Sequence, residues 1–437
     1  MFFYYIDLAW RSFKRTPFVS MLMVLAIAVG IGITMTSLSV YYMMAMNPIP
    51  DKSDRLHVVQ LNTMDEGQSQ GSSDNLPQQL TYRDAMALYQ QDFPENKVIH
   101  MRSGFAVHLG DSSIKPFLEA TRMAGRDFFS MFNLEFQYGG AWSVEQEQNA
   151  AQVAVISQSL NEKLFGSENS LGKTFYLDDK VFQVVGVLDE WNLHTRFYDI
   201  TTGAFSRTEN IFIPFSLVPV LEVPSWGNTN GWKYQEINNY QDRLNAEIFW
   251  VQLWVELPNE QAKAQYGQFL QAYLSEQEAL GRFERETPQY ALRNVMEWLD
   301  YSNVVSDDNR VLVGLSFMFL IVCLANILGL LLGKFLKRAP EIGVRRALGA
   351  RKRQVFAQHI VEVSLLGLFG GLLGIGIAQL GLWGVRATEN YYSALATMDL
   401  SMLLAAPSIS IIACIIAGLY PAWLVCKTAP AIYLKTQ

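Results

Sequence analysis

The hydrophobic positions of this chain are concentrated in four long runs that contain no charged residue. The runs are Thr16–Pro50, Val311–Gly333, Val363–Val385 and Leu400–Cys426. Each run is at least as long as the ~20 apolar residues needed to cross the hydrocarbon core of a bilayer. The pattern therefore predicts an integral membrane protein with four transmembrane helices.

Charge is distributed unevenly around these runs. Residues 47–310 hold 20 Lys/Arg and 36 Asp/Glu, a net charge of -16, whereas the rest of the chain holds 14 and 5, a net charge of +9. The basic residues lie in the short flanks of the runs, which the positive-inside rule places in the cytoplasm. We therefore expect both termini inside and a large acidic domain outside. The predicted segments are 1–17 (cytoplasmic), 18–46 (transmembrane), 47–310 (external domain), 311–333 (transmembrane), 334–360 (cytoplasmic loop), 361–385 (transmembrane), 386–400 (short external loop), 401–426 (transmembrane) and 427–437 (cytoplasmic tail).

The first run also has one property of a secretory signal, because the basic residues of Arg11–Arg15 precede it. The apolar region of a signal is ~7 to 15 residues long and ends at a small-residue cleavage site. This run is more than twice as long and ends near Tyr41, Tyr42 and Pro48. We therefore interpret it as a retained membrane helix.

The three cysteines, Cys323, Cys414 and Cys426, lie in or beside the predicted membrane helices. The external domain therefore has no disulfide framework, and its size lets it bury a core without one. No His or Cys spacing indicates a metal site.

Strand and helix patterns alternate at both ends of the external segment. The pattern predicts strands at Arg55–Asn62, Val98–Leu109 and Ile248–Leu257, and helices at Thr81–Gln90 and Asn259–Arg282. Two similar ends that flank a middle section indicate one α+β subdomain built from both ends, with a second subdomain inserted at about residues 120–245. The fold class is thus an α-helical membrane protein with a large two-subdomain α+β domain outside the membrane.

The segment Gly166–Thr174 (GSENSLGKT) has some likeness to a phosphate-binding loop. In such a loop four residues separate the glycines and a helix follows, but here Gly166 and Gly172 enclose five residues. The residues that follow, Thr174–Leu188, predict a β-hairpin around Asp178. We expect no nucleotide at this place.

The segment Ser225–Tyr240 is rich in Gly, Asn and aromatic residues. A surface loop held by turns is the first interpretation, and a contact for a ligand or partner is the second. The histidines of the external segment have no common spacing, so we assign them no site.

The segment Ala339–Phe356 (APEIGVRRALGARKRQVF) predicts a short amphipathic helix between the second and third membrane helices, with a break at Gly349. Its basic residues are suited to anionic lipid headgroups at ~1 kcal/mol each. Lipid anchoring, however, requires neither the carboxylate of Glu341 nor two glycines. A carboxylate, a pair of arginines and an apolar stripe on one short helix make a compact docking surface.

The same segment, from Glu341 to Ala350 (EIGVRRALGA), resembles the signature of the FtsX-like, MacB-type ABC transporter permeases. Residues 153–187 (AVISQSLNEKLFG, LGK and VVGV) are similar to the extracytoplasmic core domain of that family, and Gly418–Trp423 with Ala429–Pro430 to its last helix and tail. The order of one membrane helix, a large external domain and three membrane helices also agrees.

The resemblance implies a permease subunit of a mechanotransmission ABC transporter in a bacterial inner membrane, with its large domain in the periplasm. In the family the matching helix docks on an ATPase subunit. That role is implied here for Glu341, Ile342, Gly343, Arg345, Arg346, Leu348 and Gly349. The cytoplasmic segments contain no phosphate loop, so we expect two copies of a separate ATPase to bind ATP and Mg²⁺, and this chain to be no enzyme and to bind no cofactor.

Efflux through a periplasmic adaptor and an outer-membrane channel is the expected use. Lipoprotein extraction is an alternative within the family, and a complex that senses a peptide or regulates a cell-wall hydrolase is an alternative of another class. A membrane-anchored enzyme would need a nucleophile or metal constellation, which the sequence does not indicate. The expected partners are the ATPase, a second permease chain of the same or a sister sequence and membrane lipid, without nucleic acid.

Glycines four residues apart in the membrane helices predict close helix packing. The candidates for packing within the chain or between two permeases are Gly329, Gly333, Gly367, Gly370, Gly371 and Gly374, together with the polar Asn326. Buried carboxylates, which a proton-coupled carrier needs, are not expected in these helices. The residues of Pro288–Asn309 approach helical spacing, so we expect the second membrane helix to continue outside the membrane as a stiff lever.

Overall fold

The computed structural model describes residues 2–72, 74–110, 114–191, 193–287, 289–387 and 396–427. The chain divides into two compact units. Met1–Met46 with Val305–Gln437 form the membrane unit, and Asn47–Val304 form the external unit. Most of the predicted external loop, 386–400, and almost all of the predicted tail, 427–437, lie outside the described residues.

The helices of both units are numbered along the chain. They are α1 (Phe2–Arg15), α2 (Pro17–Ala45), α3 (Tyr82–Tyr89), α4 (Phe128–Met131), α5 (Val144–Gln148), α6 (Gln158–Phe165), α7 (Val218–Leu221), α8 (Tyr240–Asn245), α9 (Glu260–Ala279), α10 (Val295–Tyr301), α11 (Asp307–Lys337), α12 (Ala339–Ala347), α13 (Lys352–Ala387) and α14 (Leu400–Lys427). The strands are β1 (Leu56–Asn62), β2 (Leu80–Thr81), β3 (Lys97–His108), β4 (Phe117–Ala124), β5 (Phe136–Gly139), β6 (Val153–Ile156), β7 (Thr174–Leu177), β8 (Lys180–Leu188), β9 (Ile211–Pro214), β10 (Asn230–Gly231), β11 (Ile248–Glu256) and β12 (Gln289–Asn294).

Four helices of the described residues, α2, α11, α13 and α14, are long and apolar enough to cross a membrane. The prediction of four membrane helices is therefore confirmed. Within the membrane unit, α13 packs against α2 and α14, and α11 packs against the same two helices. The helix α11 has the smallest buried share of the four, so much of its apolar surface is left for lipid or a partner.

The strands of the described residues form one sheet with the order β12-β1-β11-β3-β4-β9-β6-β8-β5. Strands from the two ends of the external segment lie on one side of this order, and strands from its middle lie on the other side. The long antiparallel pairing of β3 with β4 joins the two sides without a break. The two predicted subdomains are thus not separated, and the external segment forms one compact unit.

Each face of the sheet carries its own hydrophobic core. One core contains Ile99 and Met101 of β3 together with Leu270 of α9. The other contains Val98 of β3 and Trp298 of α10. Neighbouring residues of one strand point to opposite faces, which is why the adjacent residues Val98 and Ile99 of β3 serve two different cores.

The predicted strands and helices at both ends of the external segment are confirmed as β1, α3, β3, β11 and α9. Local capping explains where two of the helices begin. The Thr81 hydroxyl accepts a hydrogen bond from the Asp84 backbone N–H at the start of α3, and the Asn259 side chain accepts one from Ala262 at the start of α9. Such caps satisfy backbone donors that the first helical turn leaves unpaired.

The predicted helical continuation from Pro288 to Asn309 is wrong. The described part of this segment forms β12, the short helix α10 and a link before α11 begins at Asp307. Asn303 ends α10 with a φ of 50°, and Val304 N–H donates to the Leu299 carbonyl oxygen at 3.1 Å, as in a Schellman ending. Apolar spacing alone did not show this ending, because it depends on a left-handed residue.

Candidate functional site

The helix α12 has a proline in its first turn and a glycine just after its last residue. Pro340 occupies the first turn, where its missing N–H costs no helical hydrogen bond. Gly349 has a φ of +99°, and Ala350 N–H donates to the Arg345 carbonyl oxygen at 3.0 Å. This is a Schellman ending, for which a residue without Cβ is favoured. The break predicted at Gly349 is confirmed, and Val355 and Phe356 belong to α13.

One side of α12 is buried in the membrane unit and the other is exposed. Ile342 and Gly343 are buried, and Ile342 belongs to the hydrophobic core of that unit. Val344 is 49% exposed and Leu348 is 83% exposed. Exposed apolar side chains beside charged ones on a short helix are typical of a surface that another protein covers.

Three side chains connect α12 to its surroundings. Glu341 forms an exposed ion pair with Arg15 of α1 at 3.0 Å. Arg346 donates to the Cys426 carbonyl oxygen of α14 at 3.2 Å. Arg345 lies 3.4 Å from the side-chain oxygen of Gln358 in α13. The helix is therefore held by α1, α13 and α14 and is not a free loop.

A buried ion pair joins α11 and α13, the two helices that precede and follow α12 in the chain. The Lys334 ammonium nitrogen of α11 is 2.8 Å from a carboxylate oxygen of Glu362 in α13, and it also donates to the Ser20 hydroxyl of α2 at 3.2 Å. Lys334 is 5% exposed and Glu362 is fully buried. The expectation that the membrane helices contain no buried carboxylate is therefore wrong for Glu362. The sequence predicts that Lys334 lies in the cytoplasmic loop 334–360. The structure instead buries it, because its countercharge comes from a different helix.

The pair belongs to a small polar cluster. The Ser12 hydroxyl of α1 donates to Glu362, and the Arg338 guanidinium donates to that hydroxyl and, at 3.2 Å, to the Ser12 carbonyl oxygen. The ring of His359 packs on Phe335 with 4.1 Å between centroids. Arg338 is the residue directly before α12, so the cluster links this helix to α1, α11 and α13. We name Ser12, Lys334, Arg338, His359 and Glu362 the inner cluster.

The predicted packing residues divide into two groups. Gly367, Gly370, Gly371 and Gly374 are buried between helices of this chain. A Cβ on Gly371 would lie 2.7 Å from the Pro407 Cα, and one on Gly374 would lie 2.8 Å from the Ile31 side chain. By contrast Asn326, Gly329 and Gly333 are exposed on α11, and a Cβ on either glycine would meet no atom within 4 Å. These three residues form the outer α11 face.

A second ionic cluster lies inside the external unit. Arg122 forms ion pairs with Asp199 at 2.7 Å and with Glu209, and Arg196 lies 3.4 Å from Glu209. Burial by itself raises the pKa of Glu209, but the two guanidinium groups outweigh it and lower the pKa to about 2. Burial, followed by the charge of Arg122, lowers the pKa of the neighbouring His100 to about 3. The four charged groups pair with one another, Arg102 adds a contact to Glu209 at 3.5 Å, and His100 stays neutral, so the cluster is a structural one.

The remaining candidate segments show no catalytic arrangement. Thr174–Leu177 and Lys180–Leu188 pair as the predicted hairpin, and no helix starts at Thr174 to hold a phosphate. In the segment 225–240 Trp226 packs on Gly104, while Tyr234 is 93% exposed. The described residues contain no group of three or more His, Cys, Asp or Glu side chains suited to a metal ion.

Two family sequence models match the chain. The MacB-like periplasmic core domain matches residues 20–273, more than half of the chain. The FtsX-like permease C-terminal domain matches residues 313–430 and contains α12, α13 and α14. The chain belongs to the MacB/FtsX-like permease family. It is thus a multi-pass membrane protein with a large external domain.

Curated relatives of this permease are distant in sequence. The macrolide export ATP-binding/permease protein MacB of Mannheimia succiniciproducens is 23% identical over 315 residues, which are 71% of this chain and 43% of the relative. The pyoverdine export ATP-binding/permease protein PvdT of Pseudomonas aeruginosa is 25% identical over 312 residues, 71% of this chain and 41% of the relative. The chain thus spans less than half the length of these relatives.

Solved structures of external domains are also similar to the permease. The periplasmic region of MacB from Actinobacillus actinomycetemcomitans has a TM-score of 0.36 and 16% identity, covering 57% of this chain and 94% of that chain. The extracellular domain of the transporter YknZ from Gram-positive bacteria has a TM-score of 0.34 and 15% identity, covering 54% of this chain and 100% of that chain.

Proposed function

We propose that this chain is the permease subunit of a MacB-type mechanotransmission ABC transporter. In this proposal ATP and Mg²⁺ bind to an ATPase subunit on the cytoplasmic side, and the permease converts ATPase closure into movement of its periplasmic domain. Both termini are then cytoplasmic, in a bacterial inner membrane. The chain itself performs no hydrolysis and binds no cofactor.

The observation that carries the proposal is the geometry of α12. Its Val344 and Leu348 side chains are exposed, whereas its other side is held by the membrane unit. A helix that is fixed on one side and exposes apolar and charged side chains on the other can receive a force and pass it on. Membership of a family in which the matching helix docks on an ATPase supports the same role for α12. Of the residues predicted for docking, Glu341, Arg345, Arg346, Leu348 and Gly349 would meet the ATPase, whereas the buried Ile342 and Gly343 would anchor the helix to the membrane unit.

The inner cluster supports a route for that force. Arg338 precedes α12 and contacts Ser12, and Ser12 donates to Glu362, which pairs with Lys334 of α11. A displacement of α12 therefore acts on three helices through charged, buried contacts. Because these contacts have few alternative partners in an apolar interior, they resist rearrangement more than apolar packing does.

The outer α11 face is suited to contact with a second permease chain. Asn326 is a polar side chain on a lipid-exposed helix surface, and Gly329 and Gly333 beside it would let a second helix approach closely. A second permease chain, the same or a sister sequence, would cover this face. Two ATPase subunits would then bind the two copies of α12.

Export is the favoured use, because the relatives named above are a macrolide export protein and a pyoverdine export protein. A periplasmic adaptor and an outer-membrane channel would complete such an assembly. Lipoprotein extraction, peptide sensing or hydrolase regulation would use the same α12 and inner cluster. Loss of export in a deletion strain, without a change in lipoprotein localisation or cell-wall turnover, separates these uses.

The test of docking uses the chain coexpressed with each ABC ATPase subunit of its host, followed by purification and measurement of ATP hydrolysis. We expect Leu348→Asp, Glu341→Arg and Arg345→Glu each to abolish stimulated hydrolysis and copurification, with membrane insertion intact. Leu118→Asp is the matched control, because Leu118 is 68% exposed in the external unit. Normal stimulation in all three α12 variants would contradict the proposed role of α12.

A further inference from the structure

A cleft of about 430 Å³ opens beside the first turns of α13 and the last turns of α14. Its lining consists of Lys352, Arg353, Phe356, Trp423, Cys426 and Lys427. Three of these six residues are cations and two are aromatic. The cleft is separate from the exposed side of α12, and no residue of the predicted docking set lines it.

Tertiary contacts hold the walls of the cleft together. The Cys426 thiol donates to the Lys352 carbonyl oxygen at 3.8 Å, which joins α14 to α13. Arg346 donates to the Cys426 carbonyl oxygen at 3.2 Å from the side of α12. The Lys427 ammonium nitrogen lies 4.3 Å from the centroid of the Trp423 ring. The cleft is thus a built feature of three helices and not a gap between unrelated surface side chains.

In the part of the chain that the structure describes, no carboxylate forms an ion pair with the cations of the cleft. Among the described residues at this end of the unit, the contacts to carboxylates involve Arg11, Arg15, Lys334, Arg338 and His359, and none involves Lys352, Arg353 or Lys427. The start of α13 adds the positive end of a long helix dipole, with no acidic residue in its first turn. An anion is therefore the favoured occupant.

The aromatic walls indicate that this anion also carries apolar chains. Trp423 and the nearby Tyr420 are 49% and 53% exposed on a membrane-spanning helix, as in the aromatic belts at membrane–water boundaries. Phe356 faces the same cleft from α13. Cations beside exposed aromatic rings at the ends of membrane helices match the headgroup and the first acyl carbons of a phospholipid.

We propose that this cleft is a binding site for one anionic phospholipid, with the phosphate held by Lys352, Arg353 and Lys427 and the acyl chains against Phe356 and Trp423. A zwitterionic phospholipid carries its own cation, which competes for the phosphate and weakens the attraction. An acidic protein surface would satisfy the three cations but would leave the aromatic walls without a partner. The lining of the site contains no residue of the predicted docking set.

Native mass spectrometry of the full chain, released from detergent micelles, tests the site with phosphatidylglycerol and with phosphatidylcholine of the same acyl chains. We expect one phosphatidylglycerol to bind at least tenfold more tightly than phosphatidylcholine. The variant Arg353→Gln/Lys427→Gln should weaken phosphatidylglycerol binding roughly 25-fold, about fivefold for each charge removed. Trp423→Ser should weaken it as well, and excess inorganic phosphate should not displace the lipid.

The matched control is Lys337→Gln/Arg351→Gln, which removes two exposed charges from the same end of the membrane helices but leaves the cleft intact. Its effect should stay within about threefold. Equal losses in the two double variants would overturn the site in favour of general attraction to anionic membranes. Normal lipid binding by the cleft variant together with loss of ATPase copurification would instead assign the cleft to a protein partner.

Discussion

The Lys334 ammonium group and the Glu362 carboxylate form a 2.8 Å ion pair that is almost completely buried between α11 and α13. The two residues are far apart in sequence and lie at the α12 ends of two membrane helices. Removal of the Glu362 charge leaves the Lys334 ammonium without its countercharge in an apolar interior, whereas exchange of the two charges keeps the pair. This difference makes the pair accessible to experiment.

We predict that Glu362→Leu lowers the free energy of unfolding of the chain in detergent by about 3–5 kcal/mol, because the Lys334 ammonium is then buried and unpaired. The swap Lys334→Glu/Glu362→Lys should recover much of this loss. The apolar double variant Lys334→Met/Glu362→Leu should have a free energy of unfolding that is at most about 1 kcal/mol below that of the unmodified chain, or higher than it. Denaturant unfolding followed by tryptophan fluorescence measures the series.

Lys337→Met serves as the control for this series, because Lys337 is an exposed lysine on the same helix. Its effect should remain within about 0.5 kcal/mol. If Glu362→Leu is no more destabilising than Lys337→Met, the inner cluster does not hold the helices together.

Close packing of α13 against α14 gives a second prediction. Gly371→Ala places a Cβ 2.7 Å from the Pro407 backbone, and a backbone atom yields less readily than a side chain. We expect a loss of about 1–3 kcal/mol in the free energy of unfolding. Gly376→Ala on the same helix meets no atom within 4 Å, so it should be neutral or stabilising. Equal stability of the two variants would contradict the observed packing.

The buried cluster of the external unit predicts a mutational effect. Arg122→Leu leaves Asp199 with Arg196 as its countercharge and Glu209 with Arg196 and the more distant Arg102, so the external unit should lose about 3–5 kcal/mol of stability. Arg207→Leu, at an exposed neighbouring position, should change stability by less than about 0.5 kcal/mol. Limited proteolysis of the full chain as a function of denaturant reports on the external unit.

The same cluster predicts an acid dependence. The folded chain keeps Glu209 ionised down to about pH 2, while the unfolded chain takes up that proton near its ordinary pKa of 4.5. A depressed carboxyl pKa contributes stability above pH 4.5 that is lost as the pH falls towards 2. The neutral, buried His100 acts in the same direction, because the unfolded chain protonates it already near pH 6.5. His100→Gln should reduce the slope between pH 6.5 and 4.5, to which the buried His57, with a pKa that burial also lowers, contributes as well; an unchanged slope there would exclude a contribution from His100.

Lys173 provides a prediction of no effect. Its side chain is exposed, lies 3.7 Å from Glu168 and precedes a strand, so it cannot act as a phosphate-loop lysine. Lys173→Ala should leave ATP turnover of the assembled complex within about threefold, a difference of roughly 0.65 kcal/mol in activation free energy. A larger loss in a folded, assembled complex would reopen the question of a nucleotide at Gly166–Thr174.

The sequence by itself determined the four membrane helices, the strands and helices at both ends of the external unit, and the short helix that ends at Gly349. These features depend on local properties: the length of an apolar run, the alternation of side chains and a glycine that adopts a positive φ. The family signature in Glu341–Ala350 is equally local. Local features of this kind can be recognised in the sequence without knowledge of the fold.

Only the tertiary structure decided which residues pair across helices. Lys334 was expected in a solvated flank and Glu362 was not expected as a buried carboxylate, because neither residue shows in its own neighbourhood that the other lies 2.8 Å away. The sequence predicts one continuous helix where the structure has α10 and α11. The helix ending at Asn303 depends on a left-handed backbone conformation, which the amino-acid composition does not indicate. Gly329 and Gly371 have the same chemistry in the sequence, and only packing places one outside the bundle and the other against Pro407.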